Sequence, residues 1–295
     1  MIQGSSQAAY VWTASSDGRG QLKRESPRRL FEGDDFYTVT DESGNRNLEL
    51  EEKLHEVEDD FIKVRDEVIA KKKPLQVEDR KSIALFASTL YARTEFQRQE
   101  QIQIWQDALN SIENLPLEAL NHLKHAGIYD GLMSLRFQPM PFHLFQFVNI
   151  AFPYLLLANC AILETEDVPG FITSDNPCFW MDGLLSEQGF TPYLFGLGSP
   201  SLNILLPISP NQMISLKPRG PEGYLGIDEN PEILLSLNRL TVSNADRIII
   251  INRKIGKGEW FDHRGLAEGV DQEFARQVSE FIEQYRPALE ALAKK

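Results

Sequence analysis

Apolar residues recur every three or four positions through the first half of the chain, and this spacing predicts helices. The run from 48 to 69 places its apolar side chains on one helical face, and Pro74 ends it. Further helices are predicted from about Glu78, at about 117–135 and from about 141. The first half of the chain is therefore expected to be mostly helical.

From about residue 155 the pattern changes to short β-prone runs bounded by proline and glycine. The predicted strands lie at about 161–163, 170–173, 203–208, 213–216 and 247–252, with helices at about 231–245 and 271–292. Helices followed by strands favour an α+β fold. We expect a helical N-terminal half packed on a mixed or antiparallel sheet from the C-terminal half, with a C-terminal helix.

The sequence predicts a short segment followed by one domain. Residues 1–40 are expected to form an N-terminal extended segment, and 41–295 a single α+β domain. Within that domain, the helical part is placed at 47–153 and the sheet-containing part at 154–295. The stretch 183–200 is rich in Gly, Ser and Pro, which is typical of a loop insertion beside a site.

Charge narrows the classes of ligand. The chain carries 30 Lys and Arg against 43 Asp and Glu, a net charge of −13, which opposes nonspecific binding of nucleic acid. A small molecule or a single nucleotide stays open as a ligand, and the oligomeric state is not predicted.

The location is expected to be cytoplasmic. No secretory leader or membrane span is predicted, because polar residues interrupt the longest apolar stretch, 142–163. Cys160 and Cys178 are too few for a disulfide framework, which fits a reducing compartment.

Four consecutive polar residues end a predicted strand and form the first candidate site: Thr173, Ser174, Asp175 and Asn176, followed by Pro177. Asp175 is a candidate general base, metal ligand or hydrogen-bond acceptor for a substrate. The alternative is a turn in which these side chains bond the backbone, since Ser, Asp and Asn are ordinary turn formers.

The first long helix carries a second candidate. Glu51 and Glu58 are seven residues apart, two helical turns, so they share a face. Two such carboxylates can bind a divalent cation or divide acid and base roles. A solvated acidic helix face is the alternative.

Arginines on the second helix are candidates for binding an anion. The planar guanidinium groups of Arg80, Arg93 and Arg98 suit phosphate or carboxylate. Arg93 follows an apolar stretch and is expected to be partly buried, so it needs a partner, and Glu51 or Glu58 would serve. An interhelical ion pair without chemistry is the alternative. His143 lies among apolar residues and is expected to be a hydrogen-bonded core histidine.

Short boxes in a fixed order resemble the bacterial family named domain of unknown function 4238. They are Asp35–Thr38, Leu50–Glu51 with Glu58, Arg80, Leu90–Thr94, Ile172–Pro177, Leu206–Pro210, Asn238 and Ala245–Arg247. The resemblance implies no particular substrate. Members usually open with a His-Tyr-Val-Pro box ahead of the segment that matches Val11–Trp12. Here we expect that the chain lacks any chemistry of that histidine or begins at an internal start.

These observations favour a hydrolase that acts on a phosphodiester or nucleotide. The expected catalytic residues are Asp175, Glu51, Glu58 and Arg93, the expected substrate-binding residues are Thr173, Ser174, Asn176 and Arg80, and a divalent metal would rest on Asp175 and Glu51. The hypothesis requires these boxes to meet in one pocket. A noncatalytic sensor or protein-interaction module is the alternative.

Overall fold

A computed structural model describes residues 10–16, 22–30, 39–40, 46–127, 129, 139–168, 170–182, 199 and 202–253. Its helices are α1 (Pro27–Leu30), α2 (Glu49–Val64), α3 (Val77–Ala92), α4 (Glu95–Glu113), α5 (Leu117–His125), α6 (Pro139–Leu157) and α7 (Pro231–Asn244). A π-helical turn, Arg65–Ile69, extends α2. The strands are β1 (Val11–Ser15), β2 (Lys23–Glu25), β3 (Val39–Thr40), β4 (Arg46–Asn47), β5 (Asn159–Glu164), β6 (Thr173–Ser174), β7 (Phe179–Asp182), β8 (Leu202–Ser209), β9 (Gln212–Lys217), β10 (Gly223–Gly226) and β11 (Ile248–Ile251).

A five-stranded mixed sheet lies at the centre, in the order β10-β5-β9-β8-β7. Its pairs are antiparallel except β10 with β5. Successive side chains in a strand point to opposite faces, so Ile204 and Leu206 pack towards α2, α3 and α6, while Leu205 packs towards α7. Both faces are covered, which explains why 204–208 of β8 is an uninterrupted apolar run rather than an alternating one.

The helical layer depends on a matching apolar face on α2, α3 and α6. Phe61 of α2 stacks on Phe86 of α3, with ring centroids 4.0 Å apart. Farther along, Leu54, Ala92 and Leu144 bring the three helices together in a small buried cluster. We call Leu54, Ala92 and Leu144 the junction cluster, because the candidate site surrounds it.

Local signals set the ends of α3 and the start of α4. Asp79 accepts the backbone N–H of Gln76, which satisfies a donor at the start of α3. At its other end Arg93 caps α3, and Thr94 begins α4 by accepting the N–H of Gln97. Helix α4 has no separate counterpart among the predicted helices, although Ile102, Leu109 and Ile112 recur on one face at helical spacing.

A second, antiparallel sheet joins the two ends of the described chain, in the order β2-β1-β11-β6. Strand β1 pairs with β11 from Trp12 opposite Ile251 to Ser15 opposite Ile248. Residues 11–15 are thus hydrogen-bonded into the sheet. The predicted boundary between residues 1–40 and the rest of the chain stays a prediction.

The α+β prediction is confirmed, with helices in the N-terminal half and mixed and antiparallel sheets in the C-terminal half. Helix α6 accommodates Pro153 and ends at Leu157. The division of the domain at 153 stays a prediction. Of the predicted 170–173 strand, only Thr173 pairs in a sheet, as part of the two-residue strand Thr173–Ser174. The predicted helix at 271–292 and the insertion at 183–198 lie outside the described residues.

No helix in the part of the chain that the structure describes combines the length and apolarity needed to cross a membrane.

Candidate functional site

An ion pair between α2 and α3 is the centre of the candidate site. Arg93 Nη1 lies 2.7 Å from Glu58 Oε1. The Arg93 side chain is only 17% exposed, whereas that of Glu58 is 35% exposed. The pair is therefore shielded on the arginine side and reachable from solvent on the carboxylate side.

Helix α2 turns both candidate carboxylates towards the other helices. Glu51, Leu54 and Glu58 follow one another at steps of three and four residues, so they share one face. Leu54 is buried in the junction cluster and both glutamates are half-buried, while the neighbouring Glu52 and Glu56 are exposed. The shared face predicted for Glu51 and Glu58 thus looks inwards.

The junction of α3 and α4 adds buried polar groups beside Arg93. Thr94 and Gln97 are each 4% exposed. Gln97 Nε2 donates to the Tyr91 hydroxyl at 3.2 Å. Because Arg93 lies at the turn from α3 into α4, its positive charge adds to the partial positive charge of the α4 N-terminus. The C-terminus of α3 contributes an opposite partial charge at the same place, so the Arg93 guanidinium itself is the group there that could bind an anion.

Aromatic rings line the same end of the helical layer. Tyr91 stacks on Trp180 of β7 with ring centroids 4.2 Å apart, and Phe147 of α6 lies 5.2 Å from Tyr91 and 5.5 Å from Trp180. The His143 ring lies 5.8 Å from Phe147. The rings fix where α6 meets the end of α3.

His143 is a buried polar residue beside these rings. It is 8% exposed, and its buried Nε2 has no hydrogen-bond partner among the described residues. The next residue, Leu144, belongs to the junction cluster. We call Glu51, Glu58, Arg93 and His143 the junction site. The prediction of a hydrogen-bonded core histidine agrees with the burial but not with the unpartnered Nε2.

Acid is expected to destabilise the fold through His143. Burial lowers the pKa of His143 from 6.5 to about 4 in the folded chain. Below pH 6.5 the unfolded chain binds a proton that the folded chain does not, so the free energy of unfolding falls until about pH 4. The full loss is on the order of 3 kcal/mol. Urea unfolding at pH 7 and 4.5 measures it.

The variant His143→Gln should lose much of this pH dependence, while His122→Gln, at an exposed position on α5, should keep it. Carboxylates also titrate over this pH range. Their contribution to the free energy of unfolding is the same in each variant and in the wild type, so it cancels in the comparison. Equal slopes for His143→Gln and the wild type would contradict the assignment.

Asp175 lies in a different part of the molecule. Its Oδ1 accepts the N–H of Asp246 at 2.9 Å, and its Oδ2 accepts those of Arg247 at 2.8 Å and Ile248 at 3.2 Å. The side chain is 7% exposed. The carboxylate therefore holds the turn from α7 into β11. The sequence alternative also expected Asp175 to bond the backbone. It expected the local turn, however, whereas the bonded turn lies about 70 residues later.

The polar residues next to Asp175 also bond the backbone. Ser174 Oγ donates to the Asn176 carbonyl and accepts its N–H. Asn176 Nδ2 donates to the Asn244 carbonyl at 3.0 Å, and Thr173 pairs with Ile250 in the sheet. Most of the polar side chains at 173–176 are therefore used to hydrogen-bond the backbone.

The structure brings Glu58 and Arg93 together but not Asp175. The Cys178 thiol donates to the Ala87 carbonyl and Trp180 stacks on Tyr91, so β7 runs along α3 in the same direction. Asp175 precedes the first of these contacts, and Arg93 follows the second. The span of these two contacts therefore separates Asp175 from Arg93 along α3.

Arg80 is also remote from Arg93. Thirteen residues of α3 separate them, about 20 Å along the axis at 1.5 Å per residue. Arg80 forms an ion pair with Glu222. It therefore ties α3 to the segment leading into β10, and the two predicted arginines do not form one clamp.

Other reactive groups are weak candidates. No cluster of three or more His, Cys, Asp or Glu side chains in the described ranges could hold a metal ion. Burial raises the pKa of both cysteine thiols, Cys160 and Cys178, to about 12, which makes them poor nucleophiles.

Sequence reasoning did not select Gln97 or His143 as functional residues. Gln97 carried no signal, since it lies in a helix that the apolar pattern did not predict. The signal for His143 was present, a single titratable residue in an apolar stretch, but only the fold reveals that Nε2 lacks a partner.

Comparison with known proteins places the chain in a family. A search of curated proteins and a search of solved structures each find no match. The sequence model of the family described as "Protein of unknown function (DUF4238)" matches residues 7–255, most of the chain. The protein therefore belongs to the DUF4238 family.

Proposed function

We propose that this protein is a hydrolase that acts on a phosphoester of a small molecule or nucleotide at the junction site. The observation that carries the proposal is the shielded pair of Arg93 with Glu58, which sets a guanidinium and a carboxylate 2.7 Å apart at the start of α4. A guanidinium there suits a phosphate, and a half-exposed carboxylate suits a water molecule.

In the proposed reaction, Arg93 binds the phosphate oxygens and stabilises the negative charge that develops on them. Glu58 takes a proton from water as the water oxygen attacks phosphorus. The bond from phosphorus to the leaving oxygen breaks, and that oxygen takes a proton from solvent. Glu51, on the same face of α2, is placed to help orient the water or a divalent cation.

Residues of the 173–176 segment take no direct part in this proposal, because their polar groups support the backbone. A divalent cation, if the reaction needs one, would rest on Glu51 and Glu58. A cytoplasmic location belongs to the same proposal, and it is supported by the free thiols of Cys160 and Cys178.

Turnover is expected with p-nitrophenyl phosphate, bis(p-nitrophenyl) phosphate or a nucleotide, assayed with Mg²⁺, with Mn²⁺ and with a chelator. Arg93→Lys keeps the charge but loses the planar fork, so we expect kcat/KM to fall about 100-fold. Glu58→Gln keeps the shape but cannot take a proton, and a loss of 100-fold or more is expected.

The matched controls are Arg239→Lys and Glu56→Gln, at exposed positions on α7 and α2. Both should retain wild-type turnover. Thermal unfolding of every variant separates loss of activity from loss of fold. The proposal fails if no phosphoester is hydrolysed under any of these conditions, or if folded Arg93→Lys and Glu58→Gln retain full activity.

One observation favours a noncatalytic sensor or interaction module instead. Asp175, the strand-end carboxylate, is occupied by three backbone N–H groups. The Arg93–Glu58 pair would then be an interhelical tie. This second function predicts that Arg93→Lys and Glu58→Gln lower the unfolding temperature, while no phosphoester is hydrolysed by the wild type.

A further inference from the structure

His143 carries an inference about the substrate that rests on the proposed function. The residue is more than nine-tenths buried, and a buried polar atom without a partner costs roughly 1–3 kcal/mol. Such an atom in a folded chain calls for an explanation, and a ligand that completes the hydrogen bond is one.

The position of His143 relates it to the anion-binding pair. Arg93 follows Ala92 directly, Glu58 lies one turn after Leu54, and His143 precedes Leu144. Ala92, Leu54 and Leu144 are the junction cluster, so the ion pair and the imidazole border the same small group of apolar side chains. Phe147 packs against this cluster and its ring lies 5.8 Å from that of His143, which links the imidazole to the cluster in space.

The chemistry of His143 differs from that of Arg93. Burial holds its pKa near 4, so the imidazole is uncharged at neutral pH and gives no electrostatic attraction to a phosphate. A neutral imidazole nitrogen donates or accepts one hydrogen bond, according to its tautomer. The ring lies beside Phe147, which in turn contacts Tyr91 and Trp180. This environment suits an uncharged planar group with polar edges.

We propose that the substrate is a nucleoside phosphate, with its phosphate at Arg93 and the edge of its base hydrogen-bonded to His143 Nε2. A base supplies both donors and acceptors along its edge, so it satisfies either tautomer. A sugar phosphate without a base would leave the buried nitrogen unpartnered.

Calorimetry on the full chain tests this with the four ribonucleoside 5′-monophosphates and with ribose 5-phosphate, which has the sugar and phosphate but no base. At least one nucleotide should bind about tenfold more tightly than ribose 5-phosphate. His143→Phe keeps an aromatic ring but no hydrogen bond, so most of this preference should disappear. The control His122→Phe should keep it.

The outcomes separate the two proposals. Equal binding of ribose 5-phosphate and every nucleotide would overturn the nucleoside inference and leave phosphoester hydrolysis standing. A preference that survives in folded His143→Phe would also overturn it, and His143→Gln gives the same test if the Phe variant does not fold. Failure of every phosphate to bind, together with absence of turnover, would end both proposals.

Discussion

Asp175→Ala is expected to lower the free energy of unfolding by roughly 2–4 kcal/mol, because three N–H groups lose a charged acceptor. Those donors belong to Asp246, Arg247 and Ile248, where α7 turns into β11. Strand β11 is the centre of the four-stranded sheet, between β1 and β6. Loss of the carboxylate therefore loosens the segment that positions both neighbours. Urea unfolding gives the change.

The isosteric Asp175→Asn sharpens the test. An amide cannot replace the carboxylate, because its NH₂ group would face backbone donors that need an acceptor. We expect this variant to lose roughly 1–3 kcal/mol, although its volume is unchanged. Asp59→Asn, at an exposed position on α2, is the control and should be neutral. A neutral effect of Asp175→Asn would contradict the structural role.

The same variant also decides between structure and catalysis. At a temperature where Asp175→Asn is folded, turnover close to that of the wild type would place the residue outside the reacting groups. A folded variant without turnover would return Asp175 to the catalytic residues expected from the sequence.

Local periodicity was sufficient to predict one half of the candidate site. The seven-residue spacing of Glu51 and Glu58 put both on one face, and the apolar run before Arg93 indicated burial. Helices α2 and α3 are neighbours in sequence, so little else was needed to expect their ion pair. The observed contact between Arg93 and Glu58 follows from these patterns.

The other half depended on contacts between distant parts of the chain. Asp175 and its acceptor role could not be assigned from sequence, because the N–H groups it binds lie about 70 residues later and the sequence does not state which segments pair. The order of the short family motifs along the chain does not reveal that they form two separate groups in the folded protein. One group surrounds α2 and α3, and the other surrounds β6 and the end of α7.

Asn238 illustrates the second group. Its side chain is 1% exposed and binds two backbone groups, accepting the Ile172 N–H at 3.0 Å and donating to the Gly170 carbonyl at 2.9 Å. The Asn238 amide on α7 thus makes the two backbone hydrogen bonds that a neighbouring strand would otherwise make with this segment. The segment 170–172 is thus held in place by a side chain although it is not part of a sheet.

Gly170→Ala is expected to have the other large effect, a loss of at least about 3 kcal/mol, combining a left-handed backbone penalty with a steric clash. Gly170 has φ of +74°, and a Cβ placed on it would lie 1.9 Å from the Pro210 carbonyl oxygen. That carbonyl accepts the Phe171 N–H at 2.7 Å, so it cannot move away without losing the bond. The clash is with backbone, and no side-chain rotation relieves it.

Gly223→Ala is the matched control, because Gly223 also has positive φ, +89°, but a Cβ there would meet no atom within 4 Å. This variant carries only the backbone penalty, about 1–2 kcal/mol. The difference between the two variants in urea unfolding isolates the contact of Gly170 with Pro210. If both lose the same stability, the close approach has no energetic consequence. If Gly170→Ala does not fold while Gly223→Ala does, the turn before β6 is a requirement for assembling the sheet that holds Asp175.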